Sequence, residues 1–242
     1  MTRSWDIAAA STTGARHRRL GLGNQDGYAL REHDDATVAI VTDGCGSAPH
    51  SEVGSRLGAS LWAEAIVRHL DADAPLSLAK ADVLAHLELL ATSMGDEPVT
   101  VAADYFLFTT VGALIRDTHV EVFAIGDGSA CIDGRVIEIG PFPNNQPPYL
   151  AYELMGQTQP LVTLWRGVAE TVVIASDGAT PTIDLGGLCD RPGLFDNRDA
   201  MRRYLARLNR ERISIDWEEE VLDRSHGVLD DDTTIIAMRR RG

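Results

Sequence analysis

Apolar positions along the chain fall into two kinds of run. Thr37–Val41, Tyr105–Ile115, Val120–Ile125, Thr171–Ala175 and Thr234–Met238 are short, rich in Val, Ile, Phe and Thr, and mostly do not alternate cleanly. They predict strands covered on both faces. Between them the period lengthens. Residues 52–70 place Val53, Leu57, Leu61 and Ala65 in one row and Gly54, Gly58, Trp62 and Ile66 in the next. That spacing predicts an amphipathic helix, with Ser51 placed to cap it. Leu76, Val83, Leu87 and Leu90 predict a second helix over 76–91, with Pro75 near its start. Two consecutive helices of this kind suggest a pair packed on one sheet face. Met201, Tyr204, Leu205 and Leu208 predict a third helix, and Trp217, Val221 and Leu222 a fourth ending near Gly227. Residues 141–160, with Pro141, Pro143, Asn144, Asn145, Pro147 and Pro148, read as an irregular loop or flap, and 184–197 as a second irregular stretch. No low-complexity block or Gly/Ser linker divides the 242 residues, so one domain over 1–242 is expected.

Three of the strand-like runs end in the same way. Val38–Thr42 leads into Asp43-Gly44, Val122–Gly126 into Asp127-Gly128, and Val172–Ser176 into Asp177-Gly178. Asp230-Asp231-Asp232 precedes the last run instead. In an antiparallel sheet the start of one strand lies beside the end of its neighbour, so these carboxylates could converge. Crowded carboxylates resist ionisation unless a cation sits among them, and oxygen-only ligands suit Mg²⁺ or Mn²⁺. Any single Asp-Gly is more often a hairpin turn. Three after strands, with a triple Asp before another, shift the balance toward a metal site.

Charge sharpens that reading. The chain carries 36 acidic and 22 basic side chains, a net −14. Such a field repels nucleic acid and anionic membranes, so neither is expected as a partner. It repels phosphate monoesters as well, and a bound divalent cation would supply the missing positive charge. Cys45, Cys131 and Cys189 are odd in number and widely spaced, which argues against a disulfide framework and suits a reducing compartment. The first twenty residues, with Arg3, Arg16, Arg18 and Arg19, hold too short an apolar stretch for a legible signal peptide, and no run is long enough to span a membrane. A cytoplasmic monomer is the expectation.

In order, the motifs resemble those of the metal-dependent protein phosphatases (type 2C), and of a bacterial subgroup in particular. Gly14-x-x-His17 and Asn24-Gln25-Asp26 look like the opening. Val41-Thr42-Asp43-Gly44-Cys45-Gly46, then Ser51-Glu52-Val53-Gly54-Ser55, are similar to the Asp-Gly strand end and first helix. Thr109-Thr110, Gly126-Asp127-Gly128-Ser129-Ala130, Ala175-Ser176-Asp177-Gly178 and Asp231-Asp232-Thr233-Thr234 complete the series. The resemblance implies an α+β fold, a four-layer αββα sandwich of two antiparallel sheets flanked by helix pairs. It implies two Mn²⁺ or Mg²⁺ ions, with a weaker third site. Asp43 would bridge two ions with help from the Gly44 carbonyl, Asp26 would act on one, and Asp177 and Asp231 would hold the other. Asp127, with Asp177, matches the third position. The catalytic set is then Asp43, Asp177 and Asp26, and a metal-activated water hydrolyses phosphoserine or phosphothreonine of a protein substrate. A cognate Ser/Thr kinase is a candidate partner.

Four positions depart from the pattern. Gln25 stands for a Glu, Gly21 for a phosphate-binding Arg, and Cys45 for a His that some relatives offer as general acid; the Arg of Gly-Asp-Ser-Arg is also missing. Arg16, Arg18 or Arg19 are candidate substitutes for the first Arg, and His17 or His50 for the acid. The alternative these departures leave is a weak or inactive phosphatase-like module that binds phosphoproteins.

Overall fold

The computed structural model describes residues 5–34, 36–95 and 97–241, and Asn145 by its backbone alone. Arg3 lies outside the described residues. Two five-stranded antiparallel sheets stack face to face. Sheet I has the order β1 (Trp5–Thr12), β12 (Thr233–Arg240), β9 (Thr171–Ala175), β6 (Gly128–Ile132), β7 (Arg135–Ile139). Sheet II runs β2 (Asp26–His33), β3 (Ala36–Gly44), β4 (Phe108–Arg116), β5 (His119–Ile125), β8 (Val162–Val168). Their facing side chains, among them Val41, Val111, Val122, Ile174 and Ile236, form the inter-sheet core. β4 is buried along all but its last residue, as its unbroken apolar run predicts.

The outer face of sheet II is covered by α2 (Ser51–Arg68), α3 (Pro75–Ser93) and the short α4 (Pro98–Tyr105). Of the two rows read on α2, the one with Gly54, Gly58, Trp62 and Ile66 is buried, while Val53 is 48% exposed. Gly58 is what lets the helix come so close: a Cβ there would lie 2.2 Å from the Phe108 ring. Ser51 does not cap α2. His50 holds the cap position, and Ser51 is buried inside the first turn, where its hydroxyl donates to the Cys45 carbonyl at 2.9 Å and accepts from Gln25 Nε2 at 3.0 Å. The residue ties the helix start to the loop after β3. The strand expected from Tyr105 begins at Phe108, because Tyr105 closes α4.

The outer face of sheet I is covered by α5 (Ala200–Leu208) and by irregular chain carrying Ile183, Leu185, Leu188 and Leu194. α5 is the third helix the sequence predicts. The fourth is absent: its residues form an antiparallel hairpin of β10 (Arg212–Asp216) and β11 (Val221–Ser225), exposed at every position. Local chemistry overrides the helical spacing there. Asp216 Oδ1 accepts the backbone N–H groups of Glu218 and Glu219, and Glu220 adopts φ 53°, which together form a turn. The 141–160 segment is irregular as expected, with single 3-10 turns at Pro143–Asn145 and Leu150–Met155. Lys80 on α3 pins it by donating to Glu153 and to the Gln159 carbonyl. No helix among the described residues is long and apolar enough to cross a membrane.

Candidate functional site

The antiparallel registers bring the strand-end carboxylates together. Asp26 opens β2 and is the register partner of Asp43, at the end of β3; Asp43 in turn pairs with Thr109 of β4. Opposite residues of this kind hold their side chains on one face, with Cβ atoms about 5 Å apart. Asp127 lies where the chain crosses from β5 in sheet II to β6 in sheet I. Asp177 follows β9, and Asp231-Asp232 precede β12, so sheet I delivers its acids to the same end. Ser176 joins the sheets, its hydroxyl donating to Asp26 Oδ2 at 2.8 Å and accepting from the Thr234 N–H at 3.0 Å.

A cleft of about 350 Å³ opens over this end, lined by Asp43, Gly44, Asp127, Asp177 and Asp231 with Gln25, Cys45, Thr109 and Tyr149. Two wider grooves, of about 670 and 690 Å³, lie elsewhere and collect no comparable set of carboxylates. Asp43 is within hydrogen-bonding reach of both Asp26 and Asp177. Of the three Asp-Gly pairs, only Asp127-Gly128 makes a turn with positive φ, at Gly128; Gly44 stays inside β3.

The electrostatics are those of acids without a counter-charge. Loss of hydration, then repulsion from Asp26, Asp177 and Asp127, pushes Asp43 well above the carboxylate range. Burial raises Asp26 to about 7 against hydrogen bonds from Thr234 and Ser176. Burial, with the charge of Asp177, raises Asp127 to about 6, and a hydrogen bond from Thr109 opposes it. Two oxygens at the site, Asp26 Oδ1 and Gln25 Oε1, are buried and have no hydrogen-bond partner among the described residues. Crowded carboxyls, orphaned oxygens and a backbone carbonyl at Gly44 make an oxygen-only donor set, which fits a hard divalent cation.

Beside this cluster sits a different arrangement, which the sequence did not disclose. Asp232 is buried, and its Oδ1 accepts the Gly14 N–H at 2.7 Å. Its Oδ2 accepts the Gln25 N–H at 2.6 Å and lies 2.8 Å from His17 Nδ1. The other ring nitrogen of His17 lies 3.6 Å from Asp231 Oδ1. His17, Asp231 and Asp232 could present one ligand atom each within 4.8 Å. With both oxygens of Asp232 already engaged, the group serves as a latch for the short helix α1 (Ala15–Leu20). Gly14 is required at this joint, since a Cβ would lie 2.3 Å from the Asp231 carbonyl carbon. Asp231 is singled out in the sequence by the resemblance, which places a Thr or Ser where Thr234 stands; nothing in the sequence says that Asp232 is the buried one.

The remaining candidates divide cleanly. Arg16 and His17 line the cleft, whereas His50 stacks on Tyr105 with ring centroids 4.7 Å apart and is not among the lining residues. Arg18 is held by the Asn209 carbonyl and side chain, at 3.1 and 2.8 Å, and Arg19 by Asp230 at 3.3 Å. Cys45 is half-buried at the wall. Burial pushes its thiol up, but hydrogen bonds with Ser47 and Tyr149 outweigh that and hold it below the usual thiol range. Tyr149 comes from the 141–160 segment and was not singled out by sequence; burial and its bond to Cys45 push the phenol up, so it stays a neutral donor.

Solved structures share this architecture at low identity. A serine/threonine phosphatase of S. agalactiae superposes with a TM-score of 0.62 at 14% identity, covering 98% of this chain and 100% of that one. A serine/threonine phosphatase from Staphylococcus aureus gives 0.60 at 15%, covering 99% and 96%. The photosystem II phosphatase PBCP gives 0.54 at 16%, covering 98% and 99%. At these identities the likeness establishes the fold alone. No curated protein matches the sequence. A sequence profile described as protein phosphatase 2C matches residues 13–214, from just before α1 to within β10, and on that match the chain belongs to the protein phosphatase 2C family.

Proposed function

We propose that the protein is a divalent-metal-dependent phosphatase that hydrolyses phosphoserine or phosphothreonine in protein substrates. The observation that carries this reading is the convergence of Asp43, Asp127, Asp177 and Asp231 at one cleft, with Asp26 buried beside Asp43 and the carboxyls of Asp26, Asp43 and Asp127 raised by burial and then by neighbouring acids. Asp43, within hydrogen-bonding reach of Asp26 and Asp177, would be the ligand common to two ions, with help from the Gly44 carbonyl. Asp177 and Asp231 line the cleft and would hold the second ion. Asp127 with Asp177 offers a third, weaker one. Mn²⁺ or Mg²⁺ bound there supplies charge neutralisation for phosphoryl oxygens and acidifies a water.

The other residues orient and exclude. Ser176 donates to one oxygen of Asp26, and Oδ1, without a hydrogen-bond partner among the described residues, is free to serve as a ligand. Gln25 donates from its amide nitrogen to Ser51 and leaves the buried Oε1 without a hydrogen-bond partner among the described residues, able to accept from a bound ligand. Tyr149 lines the cleft as a neutral phenol, able to donate a hydrogen bond to a bound ester.

The test is turnover of p-nitrophenyl phosphate and of phosphoserine and phosphothreonine peptides, with Mn²⁺ or Mg²⁺ added and then removed by EDTA. Metal-dependent release of phosphate that EDTA abolishes is expected. Tight metal binding without turnover of any of these esters would sink the reading and leave a phosphoprotein-binding module in its place.

A further inference from the structure

The hairpin of β10 and β11 is a sheet by itself, paired with neither five-stranded sheet. Its register sorts the side chains by face. Ile213 lies opposite Arg224 and Ile215 opposite Leu222, so Ile213, Ile215 and Leu222 share one face. Arg212, Ser214 and Asp216, with Ser225, Asp223 and Val221 across from them, form the other. That alternation is the pattern of a ribbon with one face covered, yet Ile213 is 56% exposed, Ile215 46% and Leu222 60%. A lone two-stranded hairpin is marginally stable in water, and further strands or a packed face make such a ribbon persist. Each strand also keeps one unpaired edge. Proteins usually blunt such edges with Lys, Pro or a bulge; residues 212–225 contain no Lys and no Pro, and their pairing is unbroken.

The sequence of β10 says what fits that edge. Arg212-Ile213-Ser214-Ile215-Asp216 is complementary to its own reverse. Laid antiparallel against a second β10 and centred on Ser214, Arg212 meets Asp216 of the other copy and Ile213 meets Ile215, and the two-fold axis repeats both pairs. Opposite charges and aliphatic pairs directly across an antiparallel ladder are favourable contacts. The aliphatic faces of the two hairpins then join into one patch, with Ile213, Ile215 and Leu222 from each copy. β11 offers no such match, since the same arrangement there sets Asp223 against itself. The flanking charges agree with the β10 edge. Antiparallel pairing brings the acidic tip, Asp216 with Glu218, Glu219 and Glu220, toward Arg210 and Arg212 of the other copy. A net charge of −14 opposes association, but at physiological salt charges beyond about 8 Å are screened, so the local match decides.

We propose that β10 pairs with β10 of a second copy of this chain, making a two-fold dimer through a continuous four-stranded sheet. This replaces the monomer expected from the sequence and is independent of the phosphatase reading. A five-residue strand from each copy makes a small interface, so the dimer is weak, with a Kd on the order of 10 µM.

Sedimentation velocity on the full chain, from about 1 to about 200 µM, tests it. The parent is expected to pass from monomer to dimer across that range. Arg212→Asp sets like charges opposite each other at both ends of the junction and should weaken dimerisation by about tenfold or more. Circular dichroism and thermal unfolding confirm that this variant folds as the parent does. Cysteine cross-linking then tests the register. Ser214→Cys places the new thiols across the two-fold axis within disulfide reach, so mild oxidation should give a covalent dimer. Asp223→Cys, also exposed, stands about 14 Å from its copy across the four strands and should give little. The parent, with its half-buried Cys45, is the oxidation blank. A parent that stays monomeric throughout overturns the proposal and leaves the ribbon to a partner of another kind. A dimer untouched by Arg212→Asp, or equal cross-linking at 214 and 223, overturns it as well. Neither readout depends on turnover of any ester.

Discussion

Asp26 and Asp232 are equally hidden, each 3% exposed, and both adjoin Gln25, Asp26 as the next residue in the chain and Asp232 as acceptor of the Gln25 N–H. Their surroundings differ completely. Asp232 spends both oxygens on two backbone N–H groups and His17, so its charge is matched where it sits. Asp26 accepts from hydroxyls, has an Oδ1 with no hydrogen-bond partner among the described residues, and has Asp43 as its cross-strand neighbour. A buried charge with its partners present is part of the scaffold. A buried charge crowded by its own kind is held in an unfavourable state that a proton or a bound cation relieves. Burial alone separates nothing here; hydrogen-bond satisfaction does.

The contrast breaks most plainly at Asp43. Asp43→Asn is expected to lower turnover by roughly a thousandfold, because the shared ligand of the metal pair loses its charge. The same change should raise the thermal midpoint of the metal-free protein, since it removes a buried carboxyl and its repulsion with Asp26, Asp177 and Asp127. A differential scan in EDTA reads this directly; a lower midpoint would mean that the cluster is not repulsive. At the latch the sign reverses. Asp232→Ala strips acceptors from Gly14, Gln25 and His17 and should destabilise the protein by about 3 kcal/mol in urea titrations, with or without metal.

Acidity offers a graded version of the same comparison. The carboxyls of Asp26 and Asp127 are raised to about 7 and about 6 in the folded protein, from an ordinary value of 3.8. The folded state therefore holds protons that the unfolded chain releases. Stability from these groups is fully present below pH about 4 and is lost as pH rises through 6 and 7. Metal-free protein should accordingly unfold at a lower temperature at pH 8 than at pH 5.5. Saturating Mg²⁺ should flatten or invert that trend, because protons and cation compete for the same oxygens. A metal-free protein that gains stability steadily from pH 5.5 to 8 would contradict the raised carboxyls.

What the sequence disclosed, and what it hid, follows from how local each signal is. Asp43, Asp127 and Asp177 were legible because each directly follows an apolar run, and a strand end is a local feature. Helices α2 and α3 were legible from their long periodic rows. α1 is only six residues and amphipathic in no readable way, so the element that carries Arg16 and His17 gave no signal of its own. The role of Asp232 depends on where the backbone of Gly14 lands, 218 residues away in sequence. Ser51 carries cap chemistry but sits where Gln25 and Cys45 need a hydroxyl. Trp217, Val221 and Leu222 carry helical spacing, yet no buried face exists to receive them, and Asp216 closes a turn instead.

The finest test lies between two neighbours. Asp231 and Asp232 are adjacent, but the Asp231 side chain is 50% exposed at the cleft and that of Asp232 is 3% exposed behind it. Asp231 Oδ1 accepts the Asp232 N–H and stands 3.6 Å from His17, which an amide oxygen reproduces. Asp231→Asn should therefore change metal-free stability by no more than about 0.5 kcal/mol. Its cost should appear in metal affinity instead, as a weaker Mn²⁺ isotherm with fewer or looser sites, since an amide is a poor substitute for an anionic ligand. Asp232→Asn should do the opposite, because its amide nitrogen would face either the Gly14 N–H or the Gln25 N–H and repel it. If the two isosteric changes shift stability alike, the division between ligand and latch fails at its narrowest point.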